Sequence, residues 1–147
     1  MEDMQPAQRV QLFDDLVQVE IGLWNEVDRR VRADAGISLA HTELLSVIAG
    51  RAGCRVRDIS EALSLTVGGT SRIVDRLERD ELVRRESNPE DRRSSSIVLT
   101  DHGAATHRRA QAAKSAAIDA ALGDRLDPHR FAALADALRE LRGEDRS

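Results

Sequence analysis

Residues 66–100 read TVGGTSRIVDRLERDELVRRESNPEDRRSSSIVLT. The first part predicts a helix that ends near Glu81, because the Thr66 side chain can cap its N-terminus and apolar side chains recur at helical spacing. The residues expected to face inward are Thr70, Ile73, Val74 and Leu77. The opposite side would carry residues that are small or charged, namely Gly68, Ser71, Arg72, Asp75 and Arg79. This stretch therefore predicts an exposed helix that is small and polar where it begins.

Two short apolar runs follow this helix, Leu82–Val83 and Ile97–Leu99, and a polar loop over residues 87–94 joins them. The pattern predicts two strands bridged by a basic loop, a hairpin that we call the wing. A helix with small residues at its start can enter the major groove of DNA, and a basic loop beside it can reach the flanking backbone or the minor groove. Together the two elements favour DNA binding.

The segments before this helix predict a helix-turn-helix. Ser38 is expected to cap a helix that runs to about Ala49. A short helix follows, marked by the apolar residues Val56, Ile59, Ala62 and Leu63. Ser64 and Leu65 would then form the tight turn into the helix that begins at Thr66. Two helices joined by a turn of three or four residues are typical of this motif.

Longer helices flank this unit. The first is predicted over residues 9–35, and its apolar residues cover so much of the circumference that more than one side must be buried, which a partner subunit would achieve. Gly36 would end it. An alanine-rich helix is expected over residues 101–123 after the capping residue Thr100, and Asp127 and Pro128 begin the last helix.

The predicted fold class is mostly α with a small two-stranded β wing, in one domain that covers residues 1–147. Residues 38–100 would form a winged helix-turn-helix DNA-binding lobe. The helices over residues 9–35 and 101–142 would form a dimerisation lobe.

Composition narrows the classes of function. The net charge is −4, but residues 51–100 hold ten arginines and nine acidic residues, so this segment is +1 and the remainder, with 12 basic and 17 acidic residues, is −5. Aromatic residues make up 2% of the chain, which disfavours stacking on single-stranded bases. One cysteine excludes an internal disulfide framework. With no apolar run long enough for a membrane span and no signal peptide, a cytoplasmic protein is expected.

The sequence NPEDRR at residues 88–93, followed by Leu99, Thr100 and Gly103, resembles the wing signature of the MarR family. Residues 58–63 and 72–77 fit the helix-turn-helix of the same family. The resemblance implies a sequence-specific transcriptional regulator, usually a homodimer and most often a repressor, that binds a pseudo-palindromic operator in double-stranded DNA. A small ligand would release it from DNA by changing the spacing of the two lobes.

The residues expected to contact DNA are Thr66, Val67, Gly68, Gly69, Ser71, Arg72 and Arg76 on the helix, and Asp91, Arg92 and Arg93 on the wing. Each of the two glycines costs the helix about 1 kcal/mol relative to alanine, which is explained if bare backbone approaches phosphates or base edges; a weak first turn is the alternative. Arg76 could instead pair with Asp91 or Asp80. By resemblance, one wing arginine reaches the minor groove or the phosphates and Asp91 helps to hold the tip, whereas a solvated charge pair is the plainer alternative.

The resemblance also suggests an aromatic or phenolic effector, bound between the first long helix and the DNA-binding lobe. Trp24, Asp28 and His41 could lie near such a cleft. From the apolar pattern alone, Trp24 is expected in the core.

Other reactive side chains give weaker predictions. Cys54 lies between Arg51 and Arg55, which could lower its pKa, but family members that sense oxidants carry their cysteine early in the first helix, so a redox role is not expected. His102 and His107 are five residues apart, which splays them on a helix, and they are expected to be surface histidines without a metal. No cofactor is implied.

Two alternatives to a DNA-binding regulator stay open. One is a small enzyme that uses a pocket at the helix junction, although no acid–base pair or nucleophile in a suitable context supports it. The other is a winged-helix module that binds a protein instead of DNA. An exposed apolar surface on the helix at Thr66 would favour that module, whereas the predicted surface consists of glycine, serine and arginine.

Overall fold

The computed structural model describes residues 5–87, 89–90, 95–123 and 125–143 of the chain. The elements in chain order are α1 (Pro6–Ala35), α2 (Leu39–Ala49), α3 (Val56–Ala62), α4 (Val67–Arg79), β1 (Val83–Ser87), β2 (Ser95–Leu99), α5 (Asp101–Leu122) and α6 (Pro128–Leu141). The prediction of a mostly helical fold with a two-stranded wing is confirmed. None of the described helices is long and apolar enough to cross a membrane.

Side-chain caps begin four of the helices at the predicted positions. Each capping oxygen accepts a hydrogen bond from the backbone N–H three residues later, and the cap residues are Ser38, Thr66, Thr100 and Asp127. Gly36 ends α1 in the left-handed conformation, with φ 75°. These termini follow from local chemistry, because a cap satisfies backbone groups that a helix end leaves unpaired.

The joint between α4 and the wing begins earlier than predicted. The helix ends at Arg79 rather than near Glu81, and a Schellman arrangement closes it: the Leu82 N–H donates to the Leu77 carbonyl and the Glu81 N–H to the Glu78 carbonyl, at 2.9 and 3.0 Å. Glu81 takes the left-handed position with φ 57°, which a glycine usually occupies. The chain therefore reverses direction within three residues before β1 begins.

The wing strands are longer than the apolar runs that predicted them. They pair antiparallel from Val83 opposite Leu99 to Ser87 opposite Ser95. The outer residues of this ribbon are polar and exposed, so the alternation of apolar side chains ends before the strands do. On the other edge of β2, the Ile97 N–H donates to the Cys54 carbonyl at 2.7 Å, which ties the wing to the loop between α2 and α3.

Two hydrophobic clusters hold the chain together. The first lies among α2, α3, α4 and the two strands, and it consists of Leu44, Leu45, Ile48, Cys54, Ile59, Val74, Leu77, Leu82, Val83 and Ile97. The second lies where α1 crosses α5 and consists of Val27, Val31, Ala35, Leu39, Ala110, Ala113 and Ala117. The alanines of α5 allow the two long helices to approach closely, and the larger side chains of this cluster come from α1 and α2.

Much of the apolar surface of α1 and α6 is exposed in the single chain. The exposed side chains include Val10, Leu12, Phe13, Val19, Ile21 and Trp24 on α1, and Phe131, Leu134, Leu138 and Leu141 on α6. Trp24 is 42% exposed, so its predicted place in the core is wrong for the single chain. Helix α6 buries none of its side chains. Both helices therefore present apolar faces that the chain itself does not cover.

Candidate nucleic-acid interface

The start of α4 is an exposed, firmly capped helix end. The Thr66 hydroxyl accepts from the Gly69 N–H at 3.1 Å, and the buried Thr70 hydroxyl donates to the Thr66 carbonyl at 2.9 Å. Val67, Gly68 and Gly69 are exposed, Arg72 is exposed one turn later, and Ser71 is half-buried. Most of the α4 residues predicted to meet DNA are thus accessible to a partner, although the Thr66 hydroxyl is engaged in the cap.

The two glycines of this turn have different structural reasons. A Cβ at Gly69 would lie 2.9 Å from the Thr66 hydroxyl oxygen, so a side chain there would press on the cap. A Cβ at Gly68 would have no heavy atom of the described chain within 4 Å, and its φ is not positive. The fold therefore explains glycine at position 69 but gives no reason for one at position 68, a position at which contact with another molecule can favour glycine.

Three arginines extend along the exposed side of α4. They are Arg72, Arg76 and Arg79, spaced so that successive members lie about one turn apart. The alternative in which Arg76 pairs with Asp80 is wrong, since those two residues form no ion pair. The other proposed partner, Asp91, lies outside the described residues.

The tip of the wing also lies outside the described residues. This applies to the predicted contacts Asp91, Arg92 and Arg93, which remain predictions. Among the described residues, β1 follows α4 in the chain and packs against it.

Sequence reasoning missed the residue that joins the wing to α4. Arg85 of β1 donates from Nη2 to Asp75 Oδ1 at 2.7 Å and from Nη1 to Glu78 Oε2 at 2.6 Å, and its backbone N–H donates to Glu78 Oε1 at 3.2 Å. The hydrogen bond to Asp75 is the main reason that the pKa of Arg85 is raised. The sequence carries only a partial signal: Asp75 and Glu78 lie three residues apart on one helix face and can share a cation, but the pattern does not show that this cation is Arg85.

A second close contact joins the wing to α5. A Cβ at Gly103 would lie 1.8 Å from the Leu82 carbonyl oxygen, so only glycine fits there. The Thr100 N–H donates to that same carbonyl at 3.1 Å, and the Thr100 hydroxyl donates to the Glu81 carbonyl at 2.6 Å. The start of α5 is thus seated directly on the joint between α4 and β1.

Asp28 holds the start of α2 against α1. Its carboxylate accepts from the Leu39 N–H and from Arg32 Nε, each at 2.7 Å. Burial raises the pKa of Asp28, but these two hydrogen bonds outweigh burial and keep it below the usual value. The carboxylate proposed for an effector therefore already has two partners.

His41 lies at the start of α2, near charged groups of two other helices. Burial lowers its pKa; Arg76 and Arg32 lower it further, and Asp80 opposes them. Trp24 borders a shallow hollow on α1 with Glu20, Ile21 and Asn25, which contains neither Asp28 nor His41. A larger groove of about 740 Å³ between α1 and the end of α5 also contains none of these three residues. The three effector candidates are therefore not gathered in either hollow.

A polar junction connects α2 with α5, and His107 belongs to it. His107 Nε2 lies 3.0 Å from Ser46 Oγ, Gln111 donates to that oxygen at 2.6 Å, and Lys114 pairs with Glu43 at 2.6 Å. The prediction of a surface histidine is wrong for His107, which is half-buried. Burial lowers its pKa, Glu43 raises it, and the cations Arg108 and Lys114 lower it.

Cys54 differs from its predicted environment. Its side chain is fully buried in the first hydrophobic cluster. Burial and the Asp58 carboxylate raise its pKa, against the smaller effect of Arg51. Arg51 does lower this pKa, as suggested, but burial and Asp58 outweigh it, and the thiol is a core side chain.

Part of the chain matches a known protein family, and the whole chain resembles several solved structures. Residues 35–94 match the model of the MarR family. Sco3205 of Streptomyces coelicolor, a MarR family transcriptional regulator in complex with DNA, is 26% identical, with a TM-score of 0.84 over 100% of this chain and 93% of that chain.

Two further structures share the fold. One is a variant of Escherichia coli MarR complexed with operator DNA, which is 22% identical, with a TM-score of 0.82 over 95% of this chain and 99% of that chain. The other is CouR of Rhodococcus jostii bound to p-coumaroyl-CoA, which is 22% identical, with a TM-score of 0.74 over 90% and 92%. The sequence has no significant match among curated proteins.

Proposed function

We propose that this chain is a winged-helix regulator of the MarR family, a homodimeric transcriptional repressor that binds a pseudo-palindromic operator in double-stranded DNA. One observation carries the proposal: α4 begins with a capped and exposed turn in which Gly68 has open space around it. Loss of a side chain there costs helix stability and brings no benefit inside the chain. Close approach of a duplex to the helix backbone supplies the benefit.

Related structures support double-stranded DNA as the partner. Sco3205 is in complex with DNA, and the Escherichia coli MarR variant is complexed with operator DNA. In the proposed dimer, two copies of α4 enter successive major grooves about 10 bp apart, and the wings reach the flanking backbone or minor groove. Arg72 and Arg76 contribute contacts from α4, and Arg92 and Arg93 contribute them from the wing, where Asp91 helps to hold the tip.

The test begins with purified full-length protein and a pool of random duplexes. Repeated selection should yield a pseudo-palindrome whose half-sites are about one helical turn apart. Gly68→Glu, which places bulk and negative charge against the duplex, should abolish preference for that sequence while the protein stays folded and dimeric. Selection that enriches no sequence, or a folded Gly68→Glu variant that binds normally, would contradict the proposal.

The wing should act differently from α4. Arg93→Ala is expected to weaken operator and random duplexes by similar factors and to reduce the slope of log K against log salt by about 1, as loss of one phosphate contact does. Ser71→Ala, on α4, should instead change the ratio of operator to random binding. Salt titrations of both variants on both duplexes make the comparison.

We further propose a small aromatic or phenolic effector that acts at the junction of α1 and α2, with Trp24, Asp28 and His41 as the residues that respond. CouR, which shares the fold, is bound to p-coumaroyl-CoA. A ligand that competes for the Leu39 N–H or for Arg32 would free Asp28 and loosen α2 from α1. Since Trp24 is the single tryptophan, its fluorescence is a direct assay for a panel of phenolic acids and their thioesters. Compounds that change the emission should also release the operator.

The resemblance to MarR family transcriptional regulators favours a regulator over an enzyme. The protein-binding alternative gains one feature, since Leu65 and Val67 are exposed at the start of α4. Arginines and glycines nevertheless dominate the surface beyond them, which suits a phosphate backbone better than an apolar partner. As a regulator of this kind the protein would act in the cytoplasm.

A further inference from the structure

The wing and α4 are joined by one guanidinium that contacts two carboxylates. Arg85 reaches back across the joint to Asp75 and Glu78, which lie three residues apart on α4. Glu78 also accepts the Arg85 backbone N–H, so its carboxylate fixes both the side chain and the strand that carries it. Planar guanidinium groups hold two carboxylates at fixed angles, which a single charged amine does not.

The environment of this cluster makes it more than a surface ion pair. The Arg85 side chain is 29% exposed, whereas the arginines of eight other ion pairs between described residues are 55–81% exposed. Of its partners, Asp75 is 55% and Glu78 39% exposed. Its strand partner is the buried Ile97, whose N–H donates to the loop before α3. Arg85 therefore ties α4 to a part of the wing that is itself held in place from the other edge.

The neighbouring arginine provides a contrast within the same strand. Arg84 points to the opposite face of β1 and pairs with Glu86 of the same strand at 2.7 Å. It carries the same charge one residue away but makes no ion pair with α4. The two positions thus separate the charge of an arginine from its contact with the helix.

Asp75 and Glu78 also bear on the electrostatics of the interface. They lie among Arg72, Arg76 and Arg79, the cations that α4 would present to phosphates. An unpaired carboxylate there would repel the duplex. Contact with Arg85 directs both carboxylates toward the wing and neutralises part of their charge.

We propose that Arg85 is a positioning residue, which sets the wing at the distance and angle from α4 that allow both elements to contact one duplex. The inference rests on the proposed function, and it adds a residue that touches no DNA to the determinants of operator affinity. Loss of the Arg85 side chain should leave α4 and the wing folded but no longer held in a fixed relative position. The contacts of the wing with DNA should then weaken before those of α4.

The experiment compares Arg85→Met with Arg84→Met in the full-length protein, on the operator selected by the wild type. Arg85→Met is expected to lower operator affinity by about tenfold, as loss of coupling between two elements does, and Arg84→Met by about twofold. Hydroxyl-radical footprints give a second readout. Protection at the flanks of the operator should fade with Arg85→Met while protection at the two α4 half-sites persists, and Arg84→Met should keep both.

Two further variants separate position from charge and from folding. Asp75→Asn combined with Arg85→Met has the wild-type net charge, and it should still show the weakened flanks. Arg85→Lys keeps the charge but not the double contact, so it should show a smaller loss of the same kind. It replaces Arg85→Met in the comparison if Arg85→Met does not fold. Thermal melts and sedimentation establish that each variant is a folded dimer.

The outcomes are distinct. Equal losses for Arg84→Met and Arg85→Met, or full recovery in the variant with restored charge, would overturn the positioning role while the proposed function stands. Failure of the wild type to select any operator would overturn the proposed function and this inference together. Selective loss of the flanking protection, without recovery by charge, would establish the role.

Discussion

Gly68 and Gly69 are neighbours with the same chemistry but different surroundings. A methyl group at position 69 would crowd the Thr66 cap, while one at position 68 would meet open space. Composition alone predicts only that both glycines weaken the first turn of the helix. Their different environments can be tested, because a side chain at position 68 should increase stability and decrease DNA affinity.

Gly68→Ala should raise the free energy of unfolding by roughly 0.5–1 kcal/mol, since alanine is the better helix former and fits without contact. The same variant should bind the operator more weakly, because the added methyl group keeps the duplex from the backbone. Chemical denaturation and duplex titration measure the two effects. Gly69→Ala is the matched control, and its free energy of unfolding should rise less than that of Gly68→Ala or fall. A Gly68→Ala protein that is more stable than the wild type and binds the operator as tightly as the wild type would contradict the proposed role of Gly68.

His107 gives the molecule a dependence on pH. Burial lowers its pKa, so the native state favours the neutral ring, whereas the unfolded chain takes up a proton near pH 6.5. Between the two pKa values the unfolded state binds more protons, and stability is therefore lost as pH falls below about 6.5. His41 adds to the effect in the same direction.

Denaturant unfolding at pH 7.5 and pH 5.5 should thus show a lower midpoint at the acidic pH. His107→Gln keeps a polar partner for Ser46 but cannot titrate, and it should reduce the difference between the two midpoints. His41→Gln together with His107→Gln should reduce it most. A double variant that loses as much stability on acidification as the wild type would show that other groups cause the effect.

Among the elements, the joint of α4, β1 and α5 depends most on a single position. The carbonyl of Leu82 accepts the Thr100 N–H and lies where a Gly103 side chain would stand. The Gly103 backbone at the start of α5 therefore packs directly against the Leu82 backbone between α4 and the wing. A displacement of α5 would therefore also displace the start of the wing, because Gly103 contacts Leu82 directly before β1.

Gly103→Ala should lower the free energy of unfolding by about 2–4 kcal/mol, because the backbone must shift to admit the methyl group. Thermal or denaturant unfolding measures the loss, and Gly68→Ala serves as the same exchange in open space. A neutral effect at position 103 would mean that α5 can slide away from Leu82 at little cost.

At the scale of the whole molecule, the apolar faces of α1 and α6 call for a second subunit. Helix α6 has 14 residues and buries none of its side chains within the chain, whereas isolated helices of this length are marginal in water. Phe131, Leu134, Leu138 and Leu141 form one stripe on it, and Phe131 is 54% exposed. A partner copy that covers this stripe would account for both the exposed faces and the stability of α6.

Leu134→Asp should therefore convert the dimer to monomers at micromolar concentration and reduce operator affinity by at least about tenfold, since each half-site would bind alone. Ala132→Asp adds the same charge on the opposite side of α6 and should leave the dimer intact. Analytical ultracentrifugation distinguishes the two. A wild-type protein that sediments as a monomer at micromolar concentration would contradict the assignment of residues 9–35 and 101–142 to dimerisation.

The sequence by itself determined the helices, their order and most of their limits. Ser38, Thr66, Thr100 and Asp127 cap helices where they were predicted to do so, and Gly36 ends α1, because these signals act within three or four residues of chain. The exposed residues of α4 were predicted for the same reason, from a repeat that one helix contains. The wing strands were underestimated because an exposed ribbon carries little apolar alternation.

Only the tertiary structure decided which side chains form contacts between different helices and strands. Asp28 accepts a hydrogen bond from the Leu39 N–H at the start of α2, 11 residues along the chain. Arg85 and Asp75 are ten residues apart in sequence, and Ser46 and His107 are 61 residues apart. Cys54 is buried among residues of α2, α4 and the wing, so its neighbours in sequence misrepresent its pKa. These contacts depend on how the elements pack, and local signals carry no information about that packing because the partners are brought together only when the two cores form.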